Sequence, residues 1–197
     1  MARKAKLFVL SGPSGAGKGT VLSRVLKQRP ELHLTVSATT RKPREGEIVD
    51  VSYHYLSDEE FDALVEQGAF LEWANVHDHR YGTLNEEVDP YLADGHSVVL
   101  EIDVQGAFAV REKRPDAILL FIEPPSMEVL EQRLRDRKSE DEDQLRLRLH
   151  NAIHEMELAP RYDARIVNDD LDDAVKSMVA LIDHYENDGG SDQDGSH

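Results

Sequence analysis

Four short, mostly continuous apolar runs occur along the chain. Each is bounded by Gly, Pro or Asp residues, and they cover residues 6–11, 97–103, 117–122 and 164–168. A continuous apolar run of this length is typical of a strand that is buried on both faces, as in a parallel sheet. The pattern therefore predicts four buried strands.

Helical periodicity separates these runs. Apolar residues recur at helical spacing in three segments, at Val21, Leu22, Val25 and Leu26, at Leu130 and Leu134, and at Leu145, Leu149, Ile153 and Met156. Strands that alternate with amphipathic helices are typical of a doubly wound α/β domain. We therefore predict a parallel sheet that is flanked by helices.

Residues 37–86 break this alternation. Pro43 and Gly46 prevent a continuous helix in the first part of the segment, and residues 48–56 mix β-branched and aromatic residues like a strand with one exposed face. An inserted lobe of mixed α+β structure is the expectation for this segment.

A short helix is predicted inside this lobe. Ser57 and Glu60 have the spacing of a capping box, Phe61 begins an apolar face, and Gly68 is placed to end the helix. Both signals are local, so they predict the ends of the helix independently of the fold.

Two further segments differ from the core pattern. Residues 133–148 carry an acidic run between arginines and are predicted to form a mobile helical lid. Residues 187–197 are polar, acidic and Gly-rich, which is typical of a disordered tail. The remaining residues form the predicted core, which comprises 1–36, 87–132 and 149–186.

Composition limits the partners of this chain. Its 197 residues fit one α/β domain, and 39 acidic against 23 basic residues give a net charge of −16. This charge disfavours nonspecific binding to nucleic acid or to an anionic membrane, so an anionic ligand requires locally clustered Arg or Lys. The absence of Cys excludes thiol catalysis and is compatible with the cytoplasm. No apolar run is long enough to span a membrane.

Two explanations of the acidic surface remain open, adaptation to high salt and an ordinary acidic cytosolic protein. The sequence is also compatible with either a monomer or a homo-oligomer.

The strongest chemical signal is the stretch Gly12-x-x-x-x-Gly17-Lys18, which follows a predicted strand and precedes a predicted helix. In this context backbone N–H groups and a helix N-terminus bind phosphates, and the lysine contacts the transferred phosphoryl group. We predict that ATP is bound by Gly12, Pro13, Ser14, Gly15, Ala16, Gly17, Lys18, Gly19 and Thr20.

Gly19 stands where a magnesium-binding Ser or Thr is usual, so the first hydroxyl is that of Thr20. Mg²⁺ keeps several waters and needs few protein ligands, so it can be held mainly through nucleotide phosphates and water, with Thr20 as the candidate protein ligand. The missing hydroxyl therefore argues against a GTPase switch more than against a kinase.

A second anion site is predicted around Arg41 and Arg44, which are three residues apart across Pro43. Two guanidinium groups, with the hydroxyls of Tyr53 and Tyr81, suit a second phosphate group. The alternative is a solvated basic turn.

Seven motifs together resemble those of guanylate kinase. They are GPSGAGKG (12–19), SATTRKPREGE (37–47), FLEW (70–73), RYGT (80–83), EIDVQG (101–106), RLRDR (133–137) and IVNDD (166–170), in family order. The resemblance covers nearly the whole chain except the tail. It implies a P-loop core, a GMP-binding lobe, a short lid, and Mg²⁺-dependent transfer of the ATP γ-phosphoryl group to GMP in guanine nucleotide biosynthesis and salvage.

The resemblance also implies roles for particular residues. The GMP site comprises Ser37, Arg41, Arg44, Tyr53, Glu72, Tyr81, Thr83, Glu101 and Asp103. Asn168 joins the ATP site, and the residues expected to act on the phosphates during transfer are Lys18, Arg41, Arg133, Arg137 and Arg148. Spacing alone leaves a surface ion-pair helix as the alternative for the lid arginines.

The hydrogen-bond donors of guanine explain why Glu72 is expected to bind the base. One edge of guanine presents a ring N–H and an amino group, which a carboxylate accepts as a pair, whereas adenine lacks this donor pair.

Two rival functions remain, a noncatalytic phosphopeptide-binding module and a kinase for another nucleoside monophosphate. The intact phosphate loop argues against the first, and Glu72 with Ser37 and Thr83 argues against the second.

Overall fold

The computed structural model describes residues 3–76, 78–136 and 142–187. In chain order its elements are β1 (Leu7–Ser11), α1 (Lys18–Gln28), β2 (His33–Leu34), β3 (Ala38–Thr39), β4 (His54–Tyr55), α2 (Asp58–Glu66), β5 (Phe70–Val76), β6 (His79–Leu84), α3 (Asp89–Ala93), β7 (Val98–Glu101), α4 (Val104–Lys113), β8 (Ile118–Glu123), α5 (Met127–Asp136), α6 (Glu142–Leu158), β9 (Ala164–Val167) and α7 (Leu171–Asn187). Short 3₁₀ turns occupy Asn85–Glu87 and Ala159–Arg161.

A five-stranded parallel sheet forms the core, in the order β2-β7-β1-β8-β9. Alternate residues of β1 point to opposite faces, so Phe8 and Leu10 pack with α1 and α7 while Val9 packs with α4. All three side chains are fully buried. The predicted α/β class is confirmed, and the four apolar runs form β1, β7, β8 and β9.

The strand predicted at residues 97–103 ends at Glu101. Asp103 instead caps α4, because its side chain accepts a hydrogen bond of 2.7 Å from the N–H of Gly106. A side chain that caps a helix requires extended backbone at its own residue and helical backbone directly after it.

The inserted segment forms a second sheet of mixed direction, in the order β4-β3-β6-β5. The predicted capping box of α2 is confirmed, since Ser57 accepts from the N–H of Glu60 at 3.2 Å and donates its own N–H to the Glu60 carboxylate at 2.7 Å. Gly68 follows the helix with a φ of 66°. Phe61 is fully buried between this helix and the sheet.

The strand predicted over residues 48–56 is wrong for most of its length. Only His54 and Tyr55 pair with β3, while Ser52 donates its N–H to the Ile48 carbonyl at 2.8 Å and Asp50 has a φ of 61°. These local hydrogen bonds make a turn. Val51 is 68 % exposed at its tip, so the β-branched residues there do not pack against a partner strand.

α5 and α6 pack together through Leu130, Leu134 and Leu145. The apolar face predicted for α6 is wrong at Ile153, which is 51 % exposed, because Ala152 takes the buried position. Arg137 and the rest of residues 137–141 lie outside the described residues.

Asn187, predicted to begin the tail, is the last residue of α7, and residues 188–197 lie outside the described part of the chain. Among the helices that the structure describes, none is long and apolar enough to cross a membrane.

The carboxylate of Glu87 connects the core to the inserted lobe. It accepts the N–H of Val36 at 3.0 Å, and its oxygens lie 3.2 Å from Nε2 of His33 and 3.0 Å from Nε2 of His54. The Nδ1 of His54 lies 2.8 Å from a carboxylate oxygen of Asp50. Burial opposes protonation of His54, but hydrogen bonds to Asp50 and Glu87 together outweigh it, so the pKa of His54 is raised.

This arrangement predicts a pH-dependent contribution to stability. Because the folded state raises the pKa of His54, its contribution is complete below the ordinary histidine pKa and is lost as the pH rises through the raised value. The loss of unfolding free energy in His54→Gln should be about 1 kcal/mol larger at pH 6 than at pH 8.5. Urea denaturation at both pH values measures it, with the exposed His96→Gln as control. An equal loss at both pH values would contradict this prediction.

Candidate active site

The phosphate loop lies between β1 and α1, at the carboxyl ends of the parallel strands, where open α/β sheets bind ligands. Gly12, Gly15 and Gly17 have φ values of 144°, 90° and 91°. A Cβ on Gly12 would overlap the carbonyl oxygen of Ile122, and one on Gly17 would overlap the side-chain amide of Asn168. Glycine is therefore required, and the backbone N–H groups stay accessible at the N-terminus of α1.

Lys18 folds back over this loop. Its Nζ donates to the carbonyl oxygens of Gly12 and Pro13, at 2.5 Å and 3.3 Å. Glu101 lies beside it at the end of β7, since a Cβ on Gly19 would be 3.8 Å from both oxygens of that carboxylate. Glu101 is exposed to solvent as a residue, but the protein around its carboxyl group removes part of its hydration and so raises its pKa. The positive charge of Lys18 opposes this rise.

A cavity of about 370 Å³ adjoins the phosphate loop. It brings together four predicted site residues and one lid arginine, namely Gly15, Gly17, Thr20, Asn168 and Arg133. Asn168 is held in place because its side-chain amide donates to the Ala16 carbonyl at 2.7 Å and its backbone carbonyl accepts from Arg133 at 2.9 Å. Asp136, Asp169 and Leu171 also line this cavity and were not predicted.

A second lid arginine that was predicted to act on the phosphates, Arg148, also reaches the loop. Nη1 of Arg148, in α6, lies 3.4 Å from the hydroxyl of Ser14. Arg133 comes from α5 and Arg148 from α6, so two helices that pack together direct guanidinium groups at the same loop.

A second cavity, of about 210 Å³, lies between the inserted lobe and the ends of the core strands. Six predicted residues line it, namely Ser37, Tyr53, Glu72, Tyr81, Glu101 and Asp103. Four further lining residues were missed, namely Ala74, Val76, Gly82 and Ile102. Alternation along β5 places Ala74 and Val76 on the same face as Glu72, so a correct prediction of this strand would have identified both.

Glu72 is only 6 % exposed. Burial raises its pKa, and the repulsion from Asp103 adds to this effect, while the hydrogen bond from Thr83 and the charge of Lys113 oppose it. Thr83 pairs with Glu72 across the two strands and donates its hydroxyl to Oε1 at 2.8 Å. Thr83 thus lies behind Glu72, and the structure places it on the carboxylate instead of on the cavity wall.

Arg41 is buried, and its guanidinium group makes a bidentate ion pair with Glu47 at 3.0 Å and 2.8 Å. Its Nε donates to the Tyr81 hydroxyl at 3.2 Å, and its guanidinium carbon lies 5.3 Å from the centre of the Tyr53 ring. Hydrogen bonds from Arg41 and from the backbone of Arg44 hold the pKa of Glu47 at about 2. Glu47 was not predicted as a site residue, although it lies in the same motif as Arg41.

Arg44, which was predicted to bind GMP, does not line the cavity. Its side chain is exposed, its backbone N–H donates to the Glu47 carboxylate at 2.7 Å, and its carbonyl accepts from the Glu47 N–H at 3.1 Å. The structure therefore brings Arg41, Tyr53 and Tyr81 together and leaves the guanidinium group of Arg44 at the surface.

Comparisons with known proteins identify the family of this chain. A sequence model described as guanylate kinase matches residues 4–185. A guanylate kinase of Caldanaerobacter subterraneus subsp. tengcongensis is 46 % identical over 180 residues, which is 91 % of this chain and 87 % of the relative. One of Synechococcus sp. (strain CC9902) is 48 % identical over 178 residues, covering 90 % and 95 %.

A crystal structure of guanylate kinase from Anaplasma phagocytophilum superimposes with a TM-score of 0.78 at 29 % identity, covering 95 % of this chain and 89 % of that chain. The match of the family model extends from the start of the core through the inserted lobe to α7. This chain belongs to the guanylate kinase family.

Proposed function

We propose that this protein transfers the γ-phosphoryl group of ATP to GMP and produces ADP and GDP. One observation carries the proposal beyond family membership. Glu101 lines the cavity with the buried Glu72, and it also lies beside Gly19 and Lys18 of the phosphate loop. A donor site and an acceptor site thus meet at the ends of the adjacent strands β1 and β7.

The acceptor cavity suits GMP at both ends. Its buried carboxylate, Glu72, accepts the two N–H donors on one edge of guanine, supported by Thr83 and with Ser37 and Asp103 close by. Arg41, Tyr53 and Tyr81 bind the phosphate, and Arg44 reaches it from the surface. Since Arg41 is paired with Glu47 in this structure, the GMP phosphate takes the place of that carboxylate on the guanidinium group.

The donor site binds ATP through the loop residues 12–20, with Asn168 beside the cavity that adjoins them. Lys18, Arg133, Arg137 and Arg148 supply positive charge to the transferring group, and closure of the lid at residues 133–148 keeps water out. A general base is not needed, because the acceptor is already a phosphate oxyanion.

The residues around the loop also fit Mg²⁺. The Thr20 hydroxyl and the Glu101 carboxylate, which lies near Gly19, offer the oxygen ligands that this hard cation prefers. They would hold the ion together with nucleotide phosphates and water, and the bound ion would neutralise negative charge on the phosphates.

We place the enzyme in the cytoplasm, in guanine nucleotide biosynthesis and salvage, without a nucleic-acid partner.

A coupled ADP-release assay with AMP, GMP, CMP and UMP tests this function. We expect GMP to exceed each of the others by about 100-fold or more in kcat/KM, because a buried carboxylate without its two donors disfavours the other bases. A preference for another monophosphate would contradict the substrate. GMP binding without ADP release would instead favour the noncatalytic module.

A further inference from the structure

The strand that carries Glu72 is irregular directly before this residue. Phe70 pairs with Leu84, and Glu72 pairs with Thr83, so Leu71 is an extra residue in β5. Such a β-bulge changes the direction in which the following side chains point. The direction of the Glu72 carboxylate therefore depends on the geometry of the bulge.

Lys113 contacts this bulge from the core. It is the last residue of α4, and its Nζ donates to the carbonyl oxygens of Leu71 at 2.7 Å and of Phe70 at 3.4 Å. These are the two peptide carbonyls at the irregularity. An ammonium group is a strong donor to such carbonyls, and it makes these contacts although Lys113 as a whole is exposed.

The other end of the same helix also lies against Glu72. A Cβ on Gly106 would be 3.1 Å from Oε2 of Glu72, so the missing side chain leaves room for the carboxylate. Asp103, which lines the GMP cavity, caps the helix at this end. α4 thus contacts the buried carboxylate at its first turn and the bulge at its last residue.

We infer that Lys113 is a positioning residue for the guanine site, because its ammonium group holds the bulge at Leu71 and so keeps the Glu72 carboxylate directed into the cavity. This inference rests on the proposed role of Glu72 in binding guanine. The alternative is a tether between α4 and β5 that contributes to stability alone.

Steady-state kinetics of Lys113→Met separate these possibilities. We expect the KM for GMP to rise about tenfold, as for the loss of one hydrogen bond to a charged group, while the KM for ATP and kcat at saturating GMP stay within twofold. Lys176→Met removes a lysine from the exposed surface of α7 and is the matched control. Lys113→Arg keeps the charge and the donors and should restore most of the GMP affinity.

The pH profile provides a second readout, of the Lys113 charge near Glu72. The charge of Lys113 lowers the pKa of Glu72, so its removal should move the acidic limb of kcat/KM for GMP to higher pH. A melting temperature that falls while the KM for GMP and the pH profile stay at wild-type values would overturn the inference. If Lys113→Met does not fold, Lys113→Gln removes the same charge and carries the comparison.

Glu72→Gln distinguishes this inference from the proposed function. If Glu72→Gln weakens GMP binding and Lys113→Met does not, the role of Lys113 is refuted and the guanine site stands. If neither variant changes GMP binding, the proposed guanine site is refuted, and the inference about Lys113 falls with it.

Discussion

Lys18→Ala should lower the rate of phosphoryl transfer about 10³-fold and leave the affinity for GMP within about twofold of wild type. Loss of the ammonium group removes positive charge from the place where the transferring phosphoryl group is negative. The GMP cavity is lined by other residues, with the buried Arg41 close to them, so GMP affinity has no direct dependence on Lys18.

The coupled ADP-release assay measures turnover, and calorimetric titration with GMP measures affinity. Lys27→Ala is the matched control, since this exposed lysine lies in the last turn of the same helix. Near wild-type turnover in Lys18→Ala would contradict the assignment of residues 12–18 as the catalytic phosphate loop.

Glu72→Gln should weaken GMP binding about 10- to 100-fold and leave ATP binding unchanged. In the wild-type protein, the Thr83 hydroxyl donates to one of the two carboxylate oxygens of Glu72. The amide has a single acceptor oxygen, which Thr83 and the two donors of guanine must share, so guanine loses a hydrogen-bond partner. The folded protein should be at least as stable as wild type, because burial disfavours the charged form of Glu72 and the neutral amide avoids this cost.

Calorimetric titration with GMP and thermal denaturation check the two parts of this prediction. Glu86→Gln makes the same chemical change at an exposed position and is the control. Unchanged GMP affinity in Glu72→Gln would mean that another group recognises guanine.

Local sequence signals were enough to predict the buried strands, the phosphate loop and the start of α2. The apolar runs predicted the buried strands, because a strand with both faces covered requires apolar residues at nearly every position. Gly12, Gly17 and Lys18 predicted the phosphate loop, and the positive φ values found at both glycines are a conformation that glycine adopts readily. Ser57 and Glu60 predicted the start of α2 for an equally local reason.

The tertiary structure decided how the segment at residues 41–52 folds. Ile48, Val49 and Val51 have strand-forming side chains, but without a neighbouring strand the local hydrogen bonds of residues 48–52 make a turn. The ion pair of Arg41 with Glu47 and the exposure of Arg44 likewise depend on how that turn packs, so a motif containing all three residues could not distinguish them.

The guanine site shows the same division. The sequence alone determined which residue types are available, a carboxylate at Glu72 and a hydroxyl at Thr83. The tertiary structure alone decided that Thr83 supports Glu72 and that Lys113, 41 positions beyond Glu72 in the chain (113 − 72), contacts the bulge beside it. The register of β5 against β6 sets the first contact, and the packing of α4 against β5 sets the second, so neither contact follows from residue types alone.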